Sequence, residues 1–157
     1  MFSENSEKVW KILINTDFSE EIYNKSNSDV EWLEHSHKGS KSTRKSKIIF
    51  RESLPTFIQT LLKREKLSYE QTQELDHLEK SFLWSIRVRG TGGKVKIHGS
   101  MVLKNVPNGC ERNFIGEIEV KVPFIGRRIE KEIIKKLQQG QENLSLELER
   151  WLAQDRV

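Results

Sequence analysis

The chain lacks internal disulfides and long apolar runs, and we expect no secretory leader. Its single cysteine, Cys110, excludes an internal disulfide and is typical of a reducing compartment, so we expect a cytoplasmic location. No apolar run approaches the roughly 18 residues that span a bilayer. The first residues do not form a basic segment followed by an apolar one. With 157 residues, the chain is expected to form one domain, residues 1–157.

Signatures of catalysis and of metal binding are also scarce. His35 and His37 lie two apart on a predicted strand, but no third ligand stands at a recognisable spacing, so we expect both to face solvent. The segment GTGGK joins two predicted strands, whereas a phosphate-binding loop leads from a strand into a helix, so we interpret it as a turn. We predict no catalytic residue, no metal and no cofactor. Polar residues that could face inward are Glu34, Glu70 or Gln71, and Gln73.

Charge gives one indication about partners. The net charge is only +4, but a basic, serine-rich run, KGSKSTRKSK, covers residues 38–47. Such a run either forms a solvated hairpin tip or rests on anionic phospholipid, where each basic residue contributes about 1 kcal/mol. Nucleic acid is not expected, because no aromatic platform accompanies the charge. A membrane-facing surface would consist of Lys38, Lys41, Arg44, Lys45 and Lys47.

The first part of the chain has helical periodicity. Apolar residues recur at helical spacing from Val9 to Leu13, behind Ser3 or Ser6, either of which can cap the helix. A second short helix follows, with Asp17 as its cap, before SNSD breaks it.

Three later runs alternate between apolar and polar residues, which is typical of strands with one buried face. They are EKSFLWSIRVRG, KVKIHGSMVLKN and CERNFIGEIEVKV. Between them lie Gly92–Gly93 and Asn108–Gly109, dipeptides favoured in two-residue hairpin turns. The runs and turns together predict an antiparallel meander.

Two-residue turns at these dipeptides fix the pairing of the strands. Ile86 would lie opposite Gly99, and Met101 opposite Gly116. All three apolar faces would then fall on one side, where we expect the last helix to cover Trp84, Met101 and Phe114.

Further strands are predicted before the meander. DVEWLEHSHK and TRKSKIIFRESL indicate a hairpin with a long basic tip, and LSYEQTQELD indicates another strand. Between them, PTFIQTLLKREK indicates a short helix opened by Pro55.

The end of the chain predicts one long helix. Pro123 ends the last strand because it cannot donate to a central ladder. An apolar stripe with helical spacing follows, and Gly140 interrupts it at a cost of about 1 kcal/mol relative to alanine. The stripe consists of Ile129, Ile133, Leu137, Gly140, Leu144, Leu148 and Trp151.

Three segments carry a resemblance to a known superfamily: SEKVWKILINTDF, LPTFIQTLL, and GEIEVKVPFIGRRIEKEI with its continuation to LELERWL. With them, the chain resembles the START-like or helix-grip (SRPBCC) superfamily of the birch-pollen-allergen and polyketide-cyclase type. The last segment is particularly similar to an uncharacterised, mostly bacterial family within it. The resemblance implies an α+β fold in which a curved antiparallel sheet wraps around the C-terminal helix. The superfamily usually starts with a strand, and only Met1–Phe2 are available here, so that strand is expected to be very short or absent.

The resemblance also implies a function class, namely binding of a lipid or another hydrophobic small molecule in an apolar cavity. Some relatives are cyclases or dehydratases and others serve chaperones, so an enzyme and a protein-interaction module stay open as alternatives. We expect a monomer.

Glycines on the two facing surfaces suggest where a ligand would lie. Gly99, Gly116 and Gly140 either allow close packing and curvature or leave a cavity between sheet and helix. The residues of such a site would be Trp84, Ile86, Gly99, Met101, Phe114, Gly116, Ile118, Ile133, Leu137, Gly140 and Leu144.

Overall fold

A computed structural model describes residues 1–63 and 65–154 and shows a curved antiparallel sheet with helices at both ends of the chain. Six strands follow one another in the sheet in chain order. The described residues contain no helix that is long and apolar enough to cross a membrane. The elements are α1 (Ser6–Leu13), α2 (Thr16–Lys25), β1 (Ser28–Lys38), β2 (Lys41–Ser53), α3 (Thr56–Leu62), β3 (Lys66–Asp76), β4 (Ser81–Val88), β5 (Val95–Val106), β6 (Gly109–Val120) and α4 (Gly126–Ala153).

Asparagine side chains, not the predicted serine and aspartate, cap the first two helices. The Asn5 side chain accepts from the backbone of Lys8, and the Asn15 side chain accepts from the backbones of Asp17 and Phe18. Each satisfies an N–H that a helix start leaves without a partner. The predicted caps at Ser3, Ser6 and Asp17 were therefore wrong by one to two residues.

The hairpin between β5 and β6 is shifted from the predicted register by two residues. Val106 pairs with Gly109, so the turn residues are Pro107 and Asn108. Proline presets the backbone angle of the first turn position, and a glycine is favoured directly after such a turn. Gly109 has φ 144°, and a Cβ there would collide with the Phe2 carbonyl oxygen.

The hairpin between β4 and β5 is shifted in the same way. Ile86 pairs with Ile97, and the loop runs over residues 89–94 rather than turning at Gly92–Gly93 alone. Gly90 also has a positive φ, of 84°, which lengthens the loop. Because side chains alternate with period two, a shift of two residues keeps the predicted faces, and the apolar faces do meet α4.

The first hairpin has a short tip. Lys38 pairs with Lys41, so only residues 39 and 40 lie outside the strands. The predicted long basic tip was wrong, because the basic run itself pairs as the start of β2. The strand expected before α1 is reduced to a single bridge, with two backbone hydrogen bonds of 2.8 and 2.9 Å between Phe2 and Cys110.

The core consists of two clusters along α4. The C-terminal part of α4, with Leu148 and Trp151, packs against α1, α2 and buried residues of the sheet. The N-terminal part, with Ile129 and Ile133, packs against Trp84 and its neighbours. Gly140 lies between these two groups of α4 residues.

Candidate ligand site between the sheet and the C-terminal helix

One row of paired residues crosses the inner face of the sheet. Arg44 pairs with Gln73, Gln73 with Trp84, Trp84 with Gly99, and Gly99 with Gly116. Directly paired residues on antiparallel strands point to the same face. The row therefore changes from charged and polar on β2 and β3 to apolar on β4, β5 and β6.

Trp84 occupies the space that the two strand glycines leave free. A Cβ at Gly99 or Gly116 would lie 2.7–3.0 Å from atoms of the Trp84 ring, and one at Gly99 would also collide with the Ile115 carbonyl oxygen. The ring stacks on Phe114 with centroids 4.9 Å apart and planes 11° apart. The interpretation that these two glycines leave a void was wrong, because they make room for an indole.

Gly140, unlike Gly99 and Gly116, has room for a side chain. A Cβ built there meets nothing within 4 Å, and the residue is half-buried in the middle of α4. Close packing therefore does not require a glycine at this position. Open space lies beside α4 here, between its two packed ends.

The other residues predicted for the site lie on four elements, β4, β5, β6 and α4, where they belong to the two core clusters along α4. Met101 is buried on β5, whereas six residues keep partial exposure despite their apolar side chains. These six are Ile86, Phe114, Ile118, Ile133, Leu137 and Leu144.

Arg44 is the charged member of the row and was not predicted to face inward. Its side chain is buried, at 5% exposure, and donates to Gln73 Oε1 at 2.5 Å. It also donates to the carbonyl oxygens of Leu13 and Ile14 at the end of α1, at 3.3 and 3.0 Å. Its assignment to a membrane-facing surface was therefore wrong. Burial lowers the pKa of Arg44, and no carboxylate pairs with it within residues 1–63 and 65–154.

Polar side chains surround Arg44 on the same face. Tyr23 donates to Gln71 Oε1 at 3.3 Å. Burial raises the pKa of Tyr23 and raises that of Tyr69 further, yet both side chains keep some solvent-accessible surface. Of the polar candidates from the sequence, Gln71 and Gln73 face inward, whereas Glu34 and Glu70 pair with basic residues on the outer face.

Histidines lie at the β1 end of this face. His35 and His37 pair with Arg44 and Ser42, and their rings are 4.5 Å apart. Burial and the neighbouring positive groups lower the pKa of His35. His77 accepts from Trp10 Nε1 at 3.3 Å and contacts Ser42 Oγ at 2.8 Å. No set of three possible ligands has the geometry for a metal ion in the described part of the chain.

The remaining basic residues of β2 lie on the outer face beside acidic partners. Lys45 contacts Glu34 at 2.7 Å and Lys47 contacts Glu31 at 3.9 Å. Lys41 lies 3.8 Å from Asp76, while Lys38 is exposed at the end of β1. These acidic neighbours reduce the positive potential of a surface that the sequence presents as purely basic.

Two open depressions, of about 580 and 400 Å³, lie away from α4, although Met101 is among the residues that line the second. One is lined by the loop between β4 and β5, and the other by residues of β2 to β5. Neither is lined by residues of α4.

Comparison with known proteins assigns the chain to a family. A family model described as "Protein of unknown function (DUF2505)" matches residues 2–152. The chain belongs to this family. No curated protein sequence matches it.

Solved structures show the same fold at low sequence identity. TTHA0849 from Thermus thermophilus is 14% identical, with 99% of this chain and 94% of that chain covered and a TM-score of 0.67. The Zhui aromatase/cyclase from Streptomyces sp. R1128 is 11% identical, with 96% and 90% covered and a TM-score of 0.66. CV1439 from Chromobacterium violaceum is 15% identical, with 94% and 92% covered and a TM-score of 0.60. The predicted α+β helix-grip fold is confirmed.

Proposed function

We propose that the protein binds a hydrophobic or lipid-like molecule between the sheet and α4, and that it carries or transfers this molecule. The observation that carries the proposal is the open space at Gly140, midway along the helix that the sheet wraps around. The walls of the proposed site would be the partly exposed apolar side chains of β4, β6 and α4. Such concave apolar sites usually hold a small molecule.

The polar half of the row favours a ligand with a hydrogen-bond acceptor. Arginine has only donors, so Gln73 presents its amide oxygen to Arg44 and keeps its NH2 group for another acceptor. Trp84 Nε1 is a buried donor without a partner among the described residues. A buried donor without an acceptor costs about 1–3 kcal/mol. We propose an apolar ligand body near Phe114 and Gly140, with a carbonyl, hydroxyl or carboxylate group towards Gln73 and Trp84.

Two other functions are compatible with the same space. An enzyme of the cyclase or dehydratase type would use this space, and so would a protein-interaction module. An aromatase/cyclase among the structural neighbours supports the shared fold and leaves the chemistry to experiment.

We also propose that the protein is a monomer and that it is located in the cytoplasm.

Gly140→Leu tests the proposed site. The added side chain would fill the space that the ligand needs, and leucine improves helix propensity by close to 1 kcal/mol. We expect the parent to enhance the fluorescence of the neutral dye Nile red, and the variant to lose this enhancement while its melting temperature holds or rises.

Gln139→Leu is the matched control, because this neighbouring side chain is exposed. It should leave dye binding unchanged. A parent that gives no enhancement would contradict the proposal, as would a Gly140→Leu variant that binds the dye like the parent. A clear fall in the melting temperature of Gly140→Leu would show overpacking instead of a fillable space.

A further inference from the structure

Phe124 is an aromatic residue whose side chain is fully exposed to solvent. It lies in the segment between β6 and α4, and its relative exposure is 107%. Its φ is 67°, in a region that bulky residues rarely adopt. Ile125 donates to the Pro123 carbonyl oxygen across it at 2.8 Å, which makes Phe124 the centre of a strained three-residue turn. The residue is therefore unfavourable both for its backbone and for its exposed ring.

The chain around Phe124 carries a concentrated positive charge. Residues 121–136, here called the β6–α4 corner, contain six basic and two acidic residues, a net charge of +4 that equals that of the whole chain. Lys94 joins the corner, because its carbonyl oxygen accepts from the Lys121 backbone at 2.8 Å. The charge is therefore uneven along the chain, although Lys121 contacts Glu119 at 3.3 Å just outside this range.

Four basic residues in the first three turns of α4 are exposed to solvent. Residues three and four apart lie on one side of a helix. Arg127 and Lys131 lie on the side opposite to the buried Ile129, together with Ile134 at 42% exposure, while Arg128 and Lys135 lie on one flank. Arg128 also lies over the ring of Phe57 from α3, 4.1 Å from its centroid.

This arrangement does not serve the helix itself. The start of a helix carries partial positive charge, which favours acidic residues there. The first turn of α4 contains no acidic residue and two arginines. Both the strained phenylalanine and the adverse arginines are thus kept at a stability cost in one corner of the molecule.

We propose that the β6–α4 corner docks on an anionic lipid bilayer. Phe124 would enter the interfacial region, where an aromatic ring is favourable, and the basic face of α4 would lie against the anionic headgroups. A nucleic-acid surface would pair with the charge but would leave the exposed Phe124 ring unexplained. This proposal is independent of any ligand between the sheet and α4.

Vesicle sedimentation with the full chain tests it. The parent should bind phosphatidylcholine vesicles that contain phosphatidylserine, should bind pure phosphatidylcholine vesicles weakly, and should lose binding as salt rises. Phe124→Gly should weaken binding roughly tenfold or more, because the variant has no aromatic side chain to transfer from water into the bilayer. Its melting temperature should hold or rise, because glycine adopts this backbone freely. Arg127→Gln with Lys131→Gln should also weaken binding, by roughly fivefold for each charge.

Two matched variants separate the corner from other surfaces. Leu83→Ser removes an exposed apolar side chain, at 59% exposure, from the outer face of the sheet. Lys41→Gln with Lys45→Gln removes two charges from the β2 surface first suggested by the sequence. Both should bind vesicles like the parent. The proposal is overturned if Phe124→Gly binds like the parent, if the β2 variant loses as much binding as the corner variant, or if the corner binds a DNA duplex but no vesicle.

Discussion

At the scale of single residues, the fit of Trp84 over two glycines gives a direct prediction. Gly116→Ala would place a Cβ 2.9 and 3.0 Å from two atoms of the Trp84 ring. Gly99→Ala would also meet the Ile115 backbone. Both changes should lower the free energy of unfolding, by about 1–3 kcal/mol for Gly116→Ala and by at least as much for Gly99→Ala.

A Trp84→Leu background distinguishes the two glycines. Without the indole, Gly116→Ala should cost less than it does in the parent, since the nearest obstacle is gone. Gly99→Ala should remain costly, because the Ile115 carbonyl oxygen is backbone. Urea unfolding of the double-mutant cycles measures both coupling energies. Equal costs for Gly116→Ala in the two backgrounds would show that Trp84 does not occupy this space.

Arg44 shows why part of the site could not be predicted from the sequence. All residues from 41 to 47 are polar, so no alternation of apolar and polar side chains reveals which face of the strand is buried. The buried face of this segment consists of Ser42, Arg44 and Ser46. The apolar half of the site on β4 to β6 was predictable because there apolar residues alternate with polar ones.

At the scale of elements, a charged cluster joins α2 to α4. Glu21 contacts Lys25 at 2.9 Å and accepts from Trp151 Nε1 at 3.0 Å, while Lys25 contacts Glu147 at 2.6 Å. The hydrogen bond from Lys25 is the largest cause that lowers the pKa of Glu21 from 4.5 to about 2. The ionised carboxylate therefore stabilises the folded chain above pH 4.5, and this contribution is lost as the pH falls towards 2.

Glu21→Gln should remove this pH dependence. We expect the variant to be less stable than the parent at pH 7, and the two free energies of unfolding to converge between pH 4.5 and 2. Chemical unfolding at several pH values within this window provides the measurement. Glu149→Gln, at an exposed position of α4, is the control and should follow the parent at every pH. A constant difference between Glu21→Gln and the parent across the window would contradict the assignment.

The strand pairings show how much of the fold the alternation of apolar and polar residues can predict. The six strands and four helices of the described residues were all predicted near their observed places, because their periodicities differ. Both hairpin registers were wrong by two residues, because a shift of two leaves every side chain on its face. The register is therefore set by the turns. Pro107 is one of the two turn residues between β5 and β6, and Gly90 has a positive φ in the loop between β4 and β5, whereas the two dipeptides had suggested other turn positions.

At the scale of the whole molecule, both ends of α4 pack into core clusters, while a Cβ built at Gly140 near its middle meets no neighbouring atom within 4 Å. Helix-grip topology and the order of elements followed from the sequence, whereas Gly140 could be interpreted either as a packing contact or as a cavity wall. The structure shows open space beside Gly140, and the space above Gly99 and Gly116 is filled by Trp84. The proposed ligand site is therefore narrower than the sequence suggested, and it lies between Phe114 and the middle of α4.

Backbone amide NMR during titration with 1-decanol tests this central claim most directly. Binding between the sheet and α4 predicts the largest shift changes at residues 114–118 and 137–144, with saturation, and their loss in Gly140→Leu. Changes confined to the outer face around Leu83 and Ile115, or no saturable change at all, would contradict the account.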